Sequence, residues 1–348
     1  MSPAVPTPPG RAFAVLAALA LLVALAALGI GATSLSPWHM LRALAGDGLS
    51  AQEQLVLFSL RLPRLVLGML AGGALAVSGA LMQALFRNPL ADPGVIGVSP
   101  GAALGAVIAI VLGGAVAPFL PFALSIPALT ILFAFFGGWL AVALLSRIAF
   151  RAGRTDIASM LLAGIALAAL TGAATGLLIT VADDQQLRDL NYWAMGSLAG
   201  ATWAKAGLAA AVILPVMALA PLLARGMNAL ALGEAAAHHM GFRVEVLKRR
   251  AILMTALATG GAVALTGGIG FVGIIVPHLL RQVLGPDHRL TLPGSALMGG
   301  VLLVAADVAA RSLMAPAEIP IGILTALIGA PVFLHILLRR MAVSGGAA

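Results

Sequence analysis

Charged side chains are so sparse along this chain that the gaps between them outline its helices. Residues 12–41, 65–86, 157–182, 206–224 and 319–338 contain no Asp, Glu, Lys or Arg. Each can hold one crossing of a bilayer core, which takes about 20 helical residues. The gap 93–146 is too long for one crossing, and Gly113, Gly114, Pro118 and Pro121 place a turn in its middle, so it predicts two helices. The gap 251–280 is broken by Gly267, Gly268, Gly270 and Gly273 and predicts one full helix followed by a short one. A last segment, about 294–314, carries Asp307 and Arg311 near its far end. The pattern predicts an all-α polytopic membrane protein with about ten transmembrane helices in one domain over 12–340, between a proline-rich tail at 1–11 and a C-terminal tail at 341–348. The first apolar run is longer than the core of a signal peptide and is followed by many more, so it reads as a span.

Ten spans put both termini on one side. With that side taken as cytoplasmic, Arg42, Arg61, Arg64, Arg188, Lys205 and Arg311 are the outer cations, and the other fourteen of the 20 Lys and Arg lie inside. Membrane proteins hold their excess cations on cytoplasmic loops, so this asymmetry supports the count. It also accounts for the net charge of +8, which in a soluble chain would suggest nucleic acid. Composition agrees. The chain is 61% hydrophobic and 9% charged, against about 25% charged in soluble domains, and too little polar surface remains to face water. Membrane lipid is therefore the expected surrounding, and nucleic acid is not an expected partner.

The helices are rich in small residues, as in "GMLAGGALAVSGALM" (68–82) and "TGAATG" (171–176). These let helix backbones approach closely in lipid, and ordinary helix packing accounts for them. "RNPLADPG" (87–94) and "GPDHRLTLPG" (285–294) echo each other beside inner loops.

Several chemistries are excluded. No cysteine is present, so there is no disulfide, thiolate metal site or cysteine nucleophile. No G-x-x-x-x-G-K-[ST] loop occurs, and neither lysine, Lys205 or Lys248, follows the glycines that cradle phosphate. No catalytic constellation is visible, so the chain is not expected to be an enzyme by itself. The spans also lack the acid and histidine series of a proton-coupled carrier. Energy must come from another subunit, or the protein is a passive channel.

Three strings carry a family resemblance. "LRLPRLVLGMLAGGALAVSGALMQALFRNPLADPGVIGVSPGA" (60–102), "GGIGFVGIIVPHLLR" (267–281) and "EIPIGILTALIGAPVFLHILLRR" (318–340) resemble, in order, the opening, second hallmark and final helix of the FecCD-type permeases of iron-siderophore, haem and cobalamin importers. The resemblance spans 13–340. It implies a type II ABC importer permease fold in the bacterial inner membrane and a homodimer around a central pathway. Two ATP-binding cassette subunits would bind inside, and a periplasmic binding protein would deliver cargo outside. ATP would be bound by the partner subunits, and no cofactor would be held permanently.

The resemblance also implies residue roles. Arg61, Arg64 and Arg311 match positions that dock glutamates of the binding protein; by themselves they read as interfacial anchors at helix ends, and Arg311 can also pair with Asp307. The inner loop 225–250 would be the segment that sits in a groove of the ATPase. Within it "MNALALGEAAAHHMGFRVEV" (227–246) reads as two short helices hinged at Gly233 and Gly241, with Asn228, Leu232, Gly233, Glu234, His238 and Gly241 as the coupling residues. Without the resemblance it is a solvated connector. Adjacent histidines on a helix point apart, so His238 and His239 suggest an interface and not a metal site. His278 and Arg281 read as inner structural or interface residues.

For cargo, "DDQQLRDLNYWAMGSLAG" (183–200) resembles the haem permeases. Two readings fit it. Arg188 can meet a haem propionate while Tyr192, Trp193 and Met195 supply apolar area; or Arg188 pairs with Asp184 or Asp189 and the aromatics form an interfacial belt. The expectation is therefore a haem permease with a periplasmic haem-binding partner. A siderophore or cobalamin permease stands next, and an ion-coupled carrier behind it.

Overall fold

The computed structural model describes residues 8–31, 49–119, 124–151, 153–315 and 317–345. Arg42, Pro121 and the end of the first predicted span lie outside the described residues. The described elements are almost all helical: α1 (Pro9–Gly29), α2 (Ala51–Leu85), α3 (Val98–Val116), α4 (Ile126–Ala149), α5 (Ile157–Ile179), α6 (Asp184–Met195), α7 (Trp203–Leu219), α8 (Ala224–Ala231), α9 (Glu234–His239), α10 (Val244–Thr266), α11 (Val272–Leu284), α12 (His288–Leu313) and α13 (Ile321–Gly345). A two-strand antiparallel hairpin, β1 (Phe150–Arg151) and β2 (Arg154–Thr155), joins α4 to α5.

Among the described residues eight helices are long and apolar enough to cross a membrane: α1 to α5, α7 running into α8, α12 and α13. The other two predicted crossings correspond to α10 and α11. Charged Glu245, Lys248, Arg249 and Arg250 fill the first turns of α10, and α11 has only 13 residues. The glycine break falls where the sequence puts it: Gly267 adopts φ +75° and Phe271 a left-handed φ of +67° between the two helices. Two boundaries differ from the expected tails. α1 begins inside the first tail because Pro9 sits at the opening helical position, where its missing N–H costs nothing. At the other end, α13 runs on to Gly345.

α2 is the axis of the molecule. Its most apolar window is 83% buried, against 17% for α5 and 22% for α13. Lipid would accept an apolar helix as readily as protein does, so the burial of α2 reflects close packing, by α7, α10, α11 and α12. Glycine makes this possible at two crossings. A Cβ on Gly72 would lie 2.2 Å from the Gly299 carbonyl of α12, and one on Gly79 would lie 1.9 Å from the Gly273 carbonyl of α11. The small-residue string 68–82 thus packs backbone on backbone. The second string does not: Gly172 and Gly176 of α5 have nothing within 4 Å. Buried Gln83 adds a polar tie, its Nε2 donating to the Gly273 carbonyl at 3.0 Å while Arg281 donates to its Oε1. The echoed loops share a local device, an aspartate side chain accepting the N–H two residues on: Asp92 from Gly94 and Asp287 from Arg289.

Candidate functional site

Three regions hold the residues that the sequence singles out. The first lies where α1 ends. A helix leaves its last carbonyls without helical partners, and two arginines take them here. Arg61 donates to the Leu28 carbonyl and, at 3.0 Å, to that of Gly29, while Arg311 donates to the Ala27 carbonyl. Their positive charge also complements the negative end of the helix dipole. Arg61 closes a π-helical stretch, Leu55–Arg61, just before Pro63, which has no N–H to continue the ladder. Arg64 is the third. Its Nε and Nη2 donate to Asp307 at 3.0 and 2.8 Å, and its Nη1 and Nη2 donate to Glu318 at 3.0 and 2.9 Å. Arg311 Nε stands 3.7 Å from Asp307 Oδ2. The Arg64 hydrogen bonds hold the Glu318 carboxyl below its ordinary range, against the burial that would raise it.

The sequence treats Arg61, Arg64 and Arg311 as exposed charges. The structure brings them together but buries Arg61 to 6% and Arg311 to 9% exposure. Each is engaged with α1 or with an acid. Asp307 and Glu318 complete the group, and Glu318 carried no sequence signal beyond its place in the final motif.

The second region is α6. Asp183 and Gln186 form a capping box that starts it. Arg188 and Tyr192 lie one turn apart on its exposed side. Arg188 donates to Gln185 at 3.0 Å, and Gln185 in turn donates to Asp189 at 3.1 Å. Among the described residues Arg188 forms no ion pair with Asp184 or Asp189. Trp193 turns the other way, half-buried against the core, with its carbonyl accepting the Gly268 N–H at 3.1 Å. Met195, also half-buried, is set by helical spacing on the Arg188–Tyr192 side. The four predicted pathway residues therefore divide between two faces.

The third region contains α8 and α9. Gly233 at φ +114° and Gly241 at φ +86° bracket α9, so the two-helix reading of 227–246 matches the observed elements. Leu232 and Met240 are 72% and 58% exposed on either side of it, with His238 and His239 also exposed. Asn228 faces inward. Its Nδ2 donates to Asp287 at 2.6 Å and its Oδ1 accepts the His288 N–H at 2.9 Å, so it is a strut from α8 to the start of α12. Glu234 turns back onto Lys248 of α10 at 2.8 Å. Sequence reasoning missed Met240 and Lys248.

Similar proteins bear on all three regions. The FecCD transport family matches the chain over residues 19–339. The hemin transport system permease protein HmuU of Yersinia pestis is 45% identical over 326 residues, covering 92% of this chain and 93% of its own length. The cobalamin import system permease protein BtuC of Halobacterium salinarum is 44% identical over 293 residues, covering 84% and 76%. The vitamin B12 import system permease protein BtuC of Salmonella typhi is 40% identical over 324 residues, covering 93% and 94%. Among solved structures, one assigned to the metal-chelate type of ABC transporter, in an inward-facing conformation, superposes with a TM-score of 0.83 at 33% identity, covering 95% of this chain and all of its own.

Proposed function

This chain belongs to the FecCD transport family of multi-pass ABC importer permeases, and on that premise we propose that its cargo is haem. In this reading the chain lies in the bacterial inner membrane with ten crossings, both termini cytoplasmic. The eight long apolar helices, with α10 and α11 falling at the remaining predicted gaps, support that count. Two copies form the pathway; the open faces of α5 at Gly172 and Gly176 suit the close approach of a second chain. Two ATPase subunits sit at the α8–α9 end, where Leu232 and Met240 present apolar area. A periplasmic haem-binding protein delivers cargo at the opposite end. There Arg61 and Arg311 position the end of α1, and Arg64, at 14% side-chain exposure, reaches nearest the surface.

The observation that carries the haem assignment is the exposed Arg188–Tyr192 face of α6, in a segment whose sequence resembles the haem permeases. Among the described residues a neutral glutamine alone holds the Arg188 guanidinium, which leaves it available to a propionate, and an aromatic ring one turn away suits the edge of a flat apolar ligand. Arg188→Ala is expected to lower haem uptake into proteoliposomes about ten- to 150-fold, the loss of one charge-assisted hydrogen bond of about 1.5–3 kcal/mol, and to lower ATP hydrolysis less. Equal loss of both, or no loss of either, would contradict the assignment. Cobalamin is the second reading, favoured by relatives 40% and 44% identical.

A further inference from the structure

Beneath α9 lies a cation with 1% of its side chain exposed. Lys248, in the second turn of α10, donates from Nζ to Glu234 at 2.8 Å, to Glu245 at 3.1 Å and to the Thr155 carbonyl at 3.1 Å. An ammonium has three donors. The three acceptors here belong to three segments: the first residue of α9, the first turn of α10 and the end of the β1–β2 hairpin. Glu245 closes the group, its Oε2 accepting the Thr155 N–H at 2.9 Å and the Thr155 hydroxyl at 2.8 Å.

The next residue is Asp156, which caps α5 by accepting the N–H groups of Ala158 and Ser159. Hydrogen bonds and one peptide link therefore run without a break from α9 through Lys248 and the hairpin to the first turn of α5. The two ends of this path suit movement. α9 is bracketed by two glycines at positive φ. α5 has the smallest buried share, 17%, of the eight candidate spans, so within one chain little of its surface is packed. Charge-assisted bonds fix distance and direction, whereas apolar side chains in the same place would slide. A static brace does not need an ion pair, since packed apolar residues serve that purpose as well or better.

We propose that Lys248 is a positioning residue that passes displacement of α9 to the N-terminal end of α5. The proposal rests on the reading of α9 as the segment that an ATPase partner moves. It names the route by which that movement enters the membrane helices.

The test uses the complex with its ATPase subunits and haem-binding protein in proteoliposomes, with the parent, Lys248→Gln and Glu245→Gln. Two quantities are read: haem moved per ATP hydrolysed, and the change in amide hydrogen exchange on adding ATP with vanadate. In the parent, exchange should change both in 227–241 and in 153–160. In Lys248→Gln, 227–241 should still respond while 153–160 does not, and haem per ATP should fall roughly two- to thirty-fold, the span seen for changes along coupling networks. Glu245→Gln loosens the hairpin arm by removing one carboxylate oxygen, at a side chain 25% exposed, while the Lys248 bond to the Thr155 carbonyl remains, and it should give the same pattern in weaker form even where Lys248→Gln fails to fold. Parent-like exchange at 153–160 and parent-like haem per ATP in the folded variants would overturn the proposal. A parent whose 227–241 segment ignores ATP would instead overturn the coupling role of α9, and this proposal with it.

Discussion

Asp307→Ala should unfold the end of the bundle where α1, α2 and α12 meet, and most of the folded yield should be lost with it. Asp307 is 4% exposed and holds Arg64 through a bidentate contact while standing 3.7 Å from Arg311. Removing it leaves those two guanidiniums and Arg61 with Glu318 as the remaining acid of the group. Breaking a buried ion pair from one side costs about 3–5 kcal/mol, because the abandoned charge has no water to turn to. That is a large fraction of an ordinary folding free energy of about 5–15 kcal/mol. Asp307→Asn keeps the shape and loses the charge, and should be nearly as damaging. Arg64→Met combined with Asp307→Leu removes both partners and should recover much of the loss, since contacting residues are not additive. Thermal unfolding of the purified permease reads all of these, and an Asp307→Ala protein that melts with the parent would show that the cluster holds nothing together. By the same logic, changing Arg61, Arg64 and Arg311 together to Glu would strip the end of α1 before it could report on docking.

Gly233→Pro should abolish most ATP-driven transport while the membrane bundle stays folded. Gly233 has φ +114°, and proline is confined to about −65°, so the turn between α8 and α9 must be rebuilt. The damage is local. α9 has six residues, with Ala237 its only buried position. The strut from Asn228 to Asp287 and His288 lies in α8, before the glycine, and should survive. Transport is expected to fall by an order of magnitude or more, with cargo moved per ATP falling alongside. Proteoliposome uptake and ATP hydrolysis measured together decide it, and a Gly233→Pro complex with the parent's cargo per ATP would remove α9 from the coupling path.

The parts of this molecule that were legible in its sequence are those governed by the cost of charge in lipid. Charge-free gaps marked the helices because each ionised group there must be paired or lie at an end, and even the short α11 showed through its glycines. What escaped was pairing across distance. Lys248 meets Thr155, and Arg64 meets Asp307 and Glu318, across 93, 243 and 254 positions, and no local pattern announces such meetings. Arg61 and Arg311 were read as outward-facing because arginines near helix ends commonly reach for the interface. The open carbonyls of α1 and the π-helical turn before Arg64 set them inward instead. On α6 the periodicity was visible, but it did not reveal that Trp193 would face the core while Arg188 and Tyr192 faced out. The string 171–176 looked like the string 68–82, yet its glycines Gly172 and Gly176 lie open while Gly72 and Gly79 meet a neighbouring backbone, because α2 is surrounded and little of α5 is packed.

In the function proposed here the permease moves haem at the expense of ATP hydrolysed by partner subunits. The most direct measurement reconstitutes the complex and its binding protein in sealed vesicles and follows haem, a ferric siderophore and cobalamin side by side, with and without ATP. Uptake of haem should need both ATP and the binding protein and stand well above uptake of the other two. Uptake of cobalamin or the siderophore without haem would contradict the cargo, and uptake of haem indifferent to ATP would contradict the mechanism.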